Sequence, residues 1–190
     1  MIKIACIGTA GRNEDGNKLT TTVYNQMYGQ LISDLQIWDG AEIMLVSGGA
    51  AYADALAVRA YLDHFVPNLT LHLPAEFKNS KYIETGDKMS PGRIANWYHF
   101  KFQQKTGVAG LIQIQKAIDE DAIVTVSSGF HARNTLVADV DVVIAWTFGT
   151  HSSLNIQDAS EAGLKDGGTL DTWNKSKAPI KIHHNLHELL

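Results

Sequence analysis

Short, continuous apolar runs recur along the chain, and residues at helical spacing fill most of the gaps between them. "KIACIG" (3–8), "AEIMLVS" (41–47), "LTLHL" (69–73), "AIVTVSS" (122–128), "DVVIAW" (141–146) and "IKIHH" (180–184) each read as a strand. Their apolar character is unbroken rather than alternating, which is the pattern of strands covered on both faces. After the first run, Val23, Tyr24, Met27, Tyr28, Leu31 and Leu35 recur at helical spacing, with Thr20 to Thr22 offering N-caps. Ala53, Leu56, Ala57, Ala60, Tyr61 and His64 mark a second helix face. Strand–helix alternation of this kind implies right-handed crossovers and a mostly parallel sheet. The expected fold is α/β, a Rossmann-like three-layer sandwich formed by a single domain over 1–190.

Composition narrows what such a domain does. With 190 residues, 45% hydrophobic and 19% charged, one sizeable core is the default for the chain. A formal charge of −4 argues against a general nucleic-acid binder, which carries a basic face. Cys6 is the only cysteine, so no internal disulfide forms, in keeping with a reducing compartment. The start of the chain lacks the pattern of a signal peptide, and no apolar run is long enough to span a membrane. The expectation is a soluble, cytoplasmic protein with no metal and no cofactor.

The stretch from about 75 to 120 departs from the alternation. It is more polar and richer in Lys, Arg and aromatics, and it reads as an irregular loop followed by helices from about Pro91 and Val108. Ser90 and Pro91 suit the N-cap and first position of a helix. This helical insertion is either a lengthened crossover or a lid or partner surface offering Lys88, Arg93, Asn96 or His99.

Ligands of doubly wound sheets bind outside the carboxyl ends of the strands, so the chemistry of each strand-to-helix turn matters most. After the first strand, Gly8 and Gly11 let backbone approach a ligand, Thr9 supplies a hydroxyl and Arg12 can fork onto a phosphate. After the second, Ser47, Gly48 and Gly49 precede a helix whose free N–H groups suit an anion. Asp54 in that turn suits either a sugar hydroxyl or a helix cap. After the fourth, Gly129 makes the turn, and Arg133 and Asn134 open a short helix. Arg133 is read as a phosphate ligand or as an ion-pair partner of Asp139 or Asp141. His131 is either a general acid–base or a solvated turn residue. After the fifth, a loop over 147–166 leads to Gly167, Gly168 and Thr169, a second phosphate nest or a simple cap.

Three of these elements resemble those of known proteins. "VSGGAAYAD" is similar to the "SGGARGID" element of the DNA-processing protein A (DprA/Smf) family, through Ser47, Gly48, Gly49, Ala50 and Asp54. "GFHARNTLVADVDVVIAW" resembles a second element of that family through Arg133, Asn134, Ala138 and Asp141. "GGTLDT" resembles the "PGGxGTxxE" element of the lonely-guy (LOG) phosphoribohydrolases through Gly168 and Thr169. Together they resemble the SLOG superfamily of Rossmann-like nucleotide-binding proteins, which also holds YspA-like members.

That resemblance implies a nucleotide or nucleotide-derived ligand and a homo-oligomer, with the 75–120 segment or the helix around Tyr61 as interface. With the turn after the first strand, the ligand-binding set is Gly8, Thr9, Gly11, Arg12, Ser47, Gly48, Gly49, Asp54, Arg133, Asn134, Gly168 and Thr169. The phosphoribohydrolase glutamate is replaced by Thr172, so a binding protein or sensor ranks ahead of an enzyme. The enzyme alternative is cleavage of the N-glycosidic bond of a nucleoside 5′-monophosphate, with Arg133 orienting the substrate and Asp171 or Glu161 supplying the carboxylate. Ala51 stands where the DNA-processing element has arginine, which ranks single-stranded DNA binding last.

Overall fold

A computed structural model describes residues 1–164 and 167–190. The first half of the chain runs β1 (Ile2–Gly8), α1 (Asp15–Lys18), α2 (Thr21–Leu35), β2 (Ile43–Ser47), α3 (Ala53–Leu62) and β3 (Asn68–Leu73). A two-stranded antiparallel hairpin follows, β4 (Phe77–Lys78) with β5 (Lys81–Tyr82), and then α4 (Pro91–Thr106) and α5 (Gly110–Asp119). The second half comprises β6 (Ile123–Val126), α6 (Phe130–Val137), β7 (Val142–Thr147), α7 (Ala159–Ala162), α8 (Gly168–Lys175) and β8 (Ile180–Asn185). The loop expected over 147–166 ends on residues 165 and 166, which lie outside the described residues.

The central sheet has six strands in the order β6-β3-β2-β1-β7-β8, and every pairing in it is parallel. The chain builds outward from β1 to β6 on one side, then crosses back to place β7 and β8 on the other. The strand order therefore reverses beside β1, so the turns after β1 and β7 flank a crevice.

Side chains divide between two apolar layers, as period-2 strands require. Ile4, Cys6, Leu45, Leu71, Ile144 and Trp146 pack under α2, α3 and the insertion helices. Ala5, Ile7, Val46, Val143 and Ala145 face α6, α7 and α8, with Trp173 filling that side. Trp173 is thus a core residue, 1% exposed. The Thr20 hydroxyl accepts from the Val23 N–H and caps α2, whereas Ser90 stands at the N-cap of α4 without a side-chain cap bond.

One expectation fails at an edge. All four residues of β6 are exposed, so its apolar run does not report burial on both faces. The other edge is covered: Ser153 exchanges backbone bonds with His183 of β8, and the Ile156 N–H donates to the Lys181 carbonyl. Among the described residues, no helix is long and apolar enough to cross a membrane.

Candidate functional site

At the carboxyl edge of the sheet lies a cavity of about 890 Å³, open to solvent and lined by turns from across the fold. Gly8, Thr9 and Arg12 come from the loop after β1, Gly48, Gly49 and Asp54 from the turn after β2. Arg133 and Asn134 come from α6, and Gly168 and Thr169 from α8. Ser47 and Gly11, although read as ligand contacts, do not line it.

Close packing explains the glycine at the end of β1. A Cβ at Gly8 would strike the Trp146 carbonyl and come within 2.7 Å of the Ala53 Cβ. The strand end is thereby pressed against both β7 and the start of α3, and the Thr169 hydroxyl donates to the Gly8 carbonyl at 2.8 Å. That bond fixes α8 over the crevice. Thr169 is therefore a tie between elements rather than an N-cap, a place held by Gly167.

The turn after β2 is already filled. The Asp54 carboxylate accepts from the Gly48 N–H at 2.8 Å, and the Ser47 hydroxyl accepts from the Gly49 N–H at 3.1 Å while donating to the Asp54 carbonyl. A side chain of the protein thus occupies the position expected for a phosphate. Asp54 is not the α3 cap, because Tyr52 holds that position. Burial pushes the Asp54 carboxyl up, opposed by the Arg133 guanidinium and the backbone N–H groups of Gly48 and Ala50.

Arg133 pairs with Asp54 at 3.3 Å, not with Asp139 or Asp141, and both side chains are nine-tenths buried. A Cβ at Gly48 would overlap the guanidinium, so glycine is needed there to let the arginine lie across the turn. Arg133 consequently forms part of the cavity floor, with Phe130 beneath its guanidinium at 5.6 Å.

The start of α8 differs from the β2 turn. Among the described residues, no side chain caps its first N–H groups. Gly167 has φ of +118°, and a Cβ there would collide with Nη1 of Arg12. A guanidinium and the positive end of an eight-residue helix therefore converge on the cavity. Asn134 steadies this end, donating to the Asp171 carboxylate at 2.9 Å and reaching the Gly168 carbonyl at 3.4 Å.

The proposed catalytic carboxylates lie elsewhere. Neither Asp171 nor Glu161 lines the cavity. Asp171 is held by Lys175 at 2.8 Å and by Asn134, with His131 at 3.3 Å. Burial acts to raise its carboxyl, but the Lys175 and Asn134 bonds outweigh it and hold the group low. Glu161 is exposed on α7. Among the described residues, the carboxylates that do reach the cavity, besides Asp54, are Glu14 and Asp15 of the β1 loop and α1.

Sequence reasoning left the opposite wall undecided. Lys88, Met89, Arg93, Ile94, Trp97 and Tyr98 line it, so the 75–120 insertion contributes both apolar surface and cations. Asn96 instead braces the hairpin, exchanging bonds with both the N–H and the carbonyl of Tyr82. His99 and Tyr82 both donate to the Gly49 carbonyl, at 3.0 and 2.7 Å, and so bolt the insertion to the β2 turn. Burial lowers the His99 imidazole to about 4, against the pull of the Gly49 carbonyl. The pairing of hairpin and helix with a glycine carbonyl leaves no local sequence signal.

Over 191 residues the chain is 36% identical to "Uncharacterized protein R261" of Acanthamoeba polyphaga mimivirus, covering 97% of this chain and 96% of that protein. No family model matches the chain, and no solved structure matches it.

Proposed function

We propose that this chain, which belongs to the same family as protein R261 of Acanthamoeba polyphaga mimivirus, binds a nucleotide or nucleotide-derived signal in the cavity at the carboxyl edge of its sheet. The observation that carries this reading is the approach of Arg12 to the Gly167–Gly168 start of α8, which no side chain caps among the described residues, beside the strand-order reversal. A phosphate seated there accepts N–H donors and meets a guanidinium. The sugar and base then extend toward Phe130, Tyr98 and Trp97, which supply apolar and aromatic surface. The resemblance to the SLOG superfamily supports the same ligand class.

Calorimetry against mono-, di- and cyclic nucleotides tests the reading. Micromolar binding that Arg12→Ala weakens tenfold or more is the expected result. No heat at millimolar ligand overturns it.

The enzyme alternative gains one specific observation: Glu14 lines the same cavity as Arg12. Cleavage of a nucleoside 5′-monophosphate would use that carboxylate to stabilise oxocarbenium-like charge, in place of Asp171 or Glu161. Release of free base that Glu14→Gln abolishes supports this reading, and binding without release excludes it.

A further inference from the structure

We infer that Thr147 is a phosphoryl acceptor in the wall of the cavity, with His183 as the base that takes its proton. The natural donor rests on the nucleotide reading above; the nucleophile–base pair itself does not.

His183, on β8, is fully buried, and both of its ring nitrogens are engaged. Nδ1 lies 2.7 Å from the His151 carbonyl and Nε2 lies 2.8 Å from the Thr147 hydroxyl. A carbonyl oxygen can only accept, so Nδ1 carries the proton. In the neutral ring Nε2 is then bare, and the Thr147 hydroxyl donates to it. A hydroxyl, a neutral imidazole and an acceptor that orients the imidazole are the parts of an activated nucleophile. Burial lowers the His183 imidazole, and His184 and His151 act with it against the His151 carbonyl bond and Glu188. The ring is therefore in its basic form at pH 7.

Holding the loop after β7 does not require the threonine. The His183 ring already binds the His151 carbonyl, its backbone exchanges bonds with Ser153, and a Cβ at Gly149 would come within 2.7 Å of its Cε1. The bond to Thr147 is additional to these, and Thr147 lines the cavity. As the last residue of β7 it follows Val143 and Ala145 on the face toward α8. Its neighbour Trp146 pairs with Gly8, whose carbonyl accepts from Thr169 in the first turn of α8. Thr147 thus emerges beside the helix start that Arg12 approaches. Helix N–H groups and a guanidinium at that point withdraw charge from a phosphoryl group under attack.

A phosphoanhydride is the donor class that fits. Its leaving phosphate departs without a proton, whereas the alkoxide of a monoester needs one. Thr147 Oγ attacks the terminal phosphorus of a nucleoside di- or triphosphate, and the bond from that phosphorus to the bridging oxygen breaks. The electron pair leaves with the shortened nucleotide. The hydroxyl proton passes to His183 Nε2, and the resulting imidazolium keeps its bond to the His151 carbonyl. The product is phosphothreonine at Thr147.

Mass spectrometry of the whole chain, with the modified residue mapped, tests the inference in two arms. Diisopropyl fluorophosphate needs no nucleotide site; Thr147 Oγ should displace its fluoride and carry the adduct. Adenosine and guanosine di- and triphosphates, quenched in acid, should leave phosphothreonine at the same residue. Thr147→Val should lose both products with its circular dichroism unchanged, and Thr147→Ser should restore them. The wild-type rate with the fluorophosphate should be flat between about pH 7 and 8.5, because His183 is already the base. It should fall below pH 6.5, since the His183 imidazole titrates under that value. The other titratable groups acting on His183 are His151, His184, which is bound to Asp34, and Glu188, which is bound to Ser152. No adduct on Thr147 overturns the inference, as does a rate that climbs about tenfold per pH unit with hydroxide. Nucleotide that binds in calorimetry but leaves no phosphothreonine also overturns it. An adduct on Thr147 without any nucleotide binding supports the pair and overturns the nucleotide reading alone.

Discussion

Asp54 and Arg133 define each other. An arginine this buried needs a counter-charge, and a carboxylate this buried needs donors; each supplies the other, with Gly48 adding an N–H. Removing one partner strands the other. Arg133→Met should therefore cost about 3–5 kcal/mol in urea unfolding. The Asp54→Asn/Arg133→Met double variant should recover more than half of that loss, because the introduced amide oxygen still accepts from Gly48 and no charge is left buried. His99 sets the acid limit. Its folded value near 4 lies below the ordinary 6.5, so between those values the unfolded chain binds a proton that the folded chain refuses. Stability then falls as pH drops from 6.5 toward 4, by on the order of 3 kcal/mol. Denaturant midpoints at pH 7, 5.5 and 4.5 should show that slope in the wild type. His99→Gln, which retains a donor but does not titrate, should flatten it.

Two glycine pairs stand at helix starts in this fold, Gly48–Gly49 before α3 and Gly167–Gly168 at α8, and elements rather than motifs separate their roles. The α3 turn is closed by its own aspartate, whereas α8 begins beside Arg12 with no capping side chain among the described residues. Gly168→Asp makes the distinction measurable. Among the described residues a Cβ at this position meets only the Asn134 amide nitrogen, at 3.7 Å, so these leave room for a side chain. The new carboxylate at the helix start should raise stability by about 0.3–1 kcal/mol while abolishing nucleotide binding. A gain in melting temperature with unchanged affinity would move the phosphate away from α8. Both turns were legible in the sequence as glycine-rich helix starts, because glycine pairs before polar residues mark close approach. That the first of them is closed was not, since this rests on a carboxylate six residues downstream folding back onto Gly48. The strands and the helices around them were legible from periodicity. The bare faces of β6 were not, because Ile-Val-Thr-Val has the same composition whether a helix or nothing lies over it.

At the scale of the molecule, the cavity joins parts that are remote in sequence: the β1 loop, the start of α8, and the α4 wall of the insertion. Of these, α4 is bolted to the β2 turn through His99. The β1 loop and α8 meet mainly through Arg12, Gly167 and the Thr169–Gly8 bond. A ligand seated between them adds contacts that the unfolded chain lacks, so binding must stabilise the fold by mass action. At a hundredfold excess over Kd the gain is about 2.7 kcal/mol, or about 5–10 °C in Tm for a chain of this size. Amide exchange should locate that gain. Protection should rise in the first turn of α8, in the loop that carries Arg12 and in the cavity-facing turns of α4. It should not rise in β8 or in the 153–156 segment, which lie on the far edge and already share their bonds. A uniform rise across the sheet would mean that the ligand acts on global unfolding without holding the α8 end, and would place its phosphate elsewhere in the cavity.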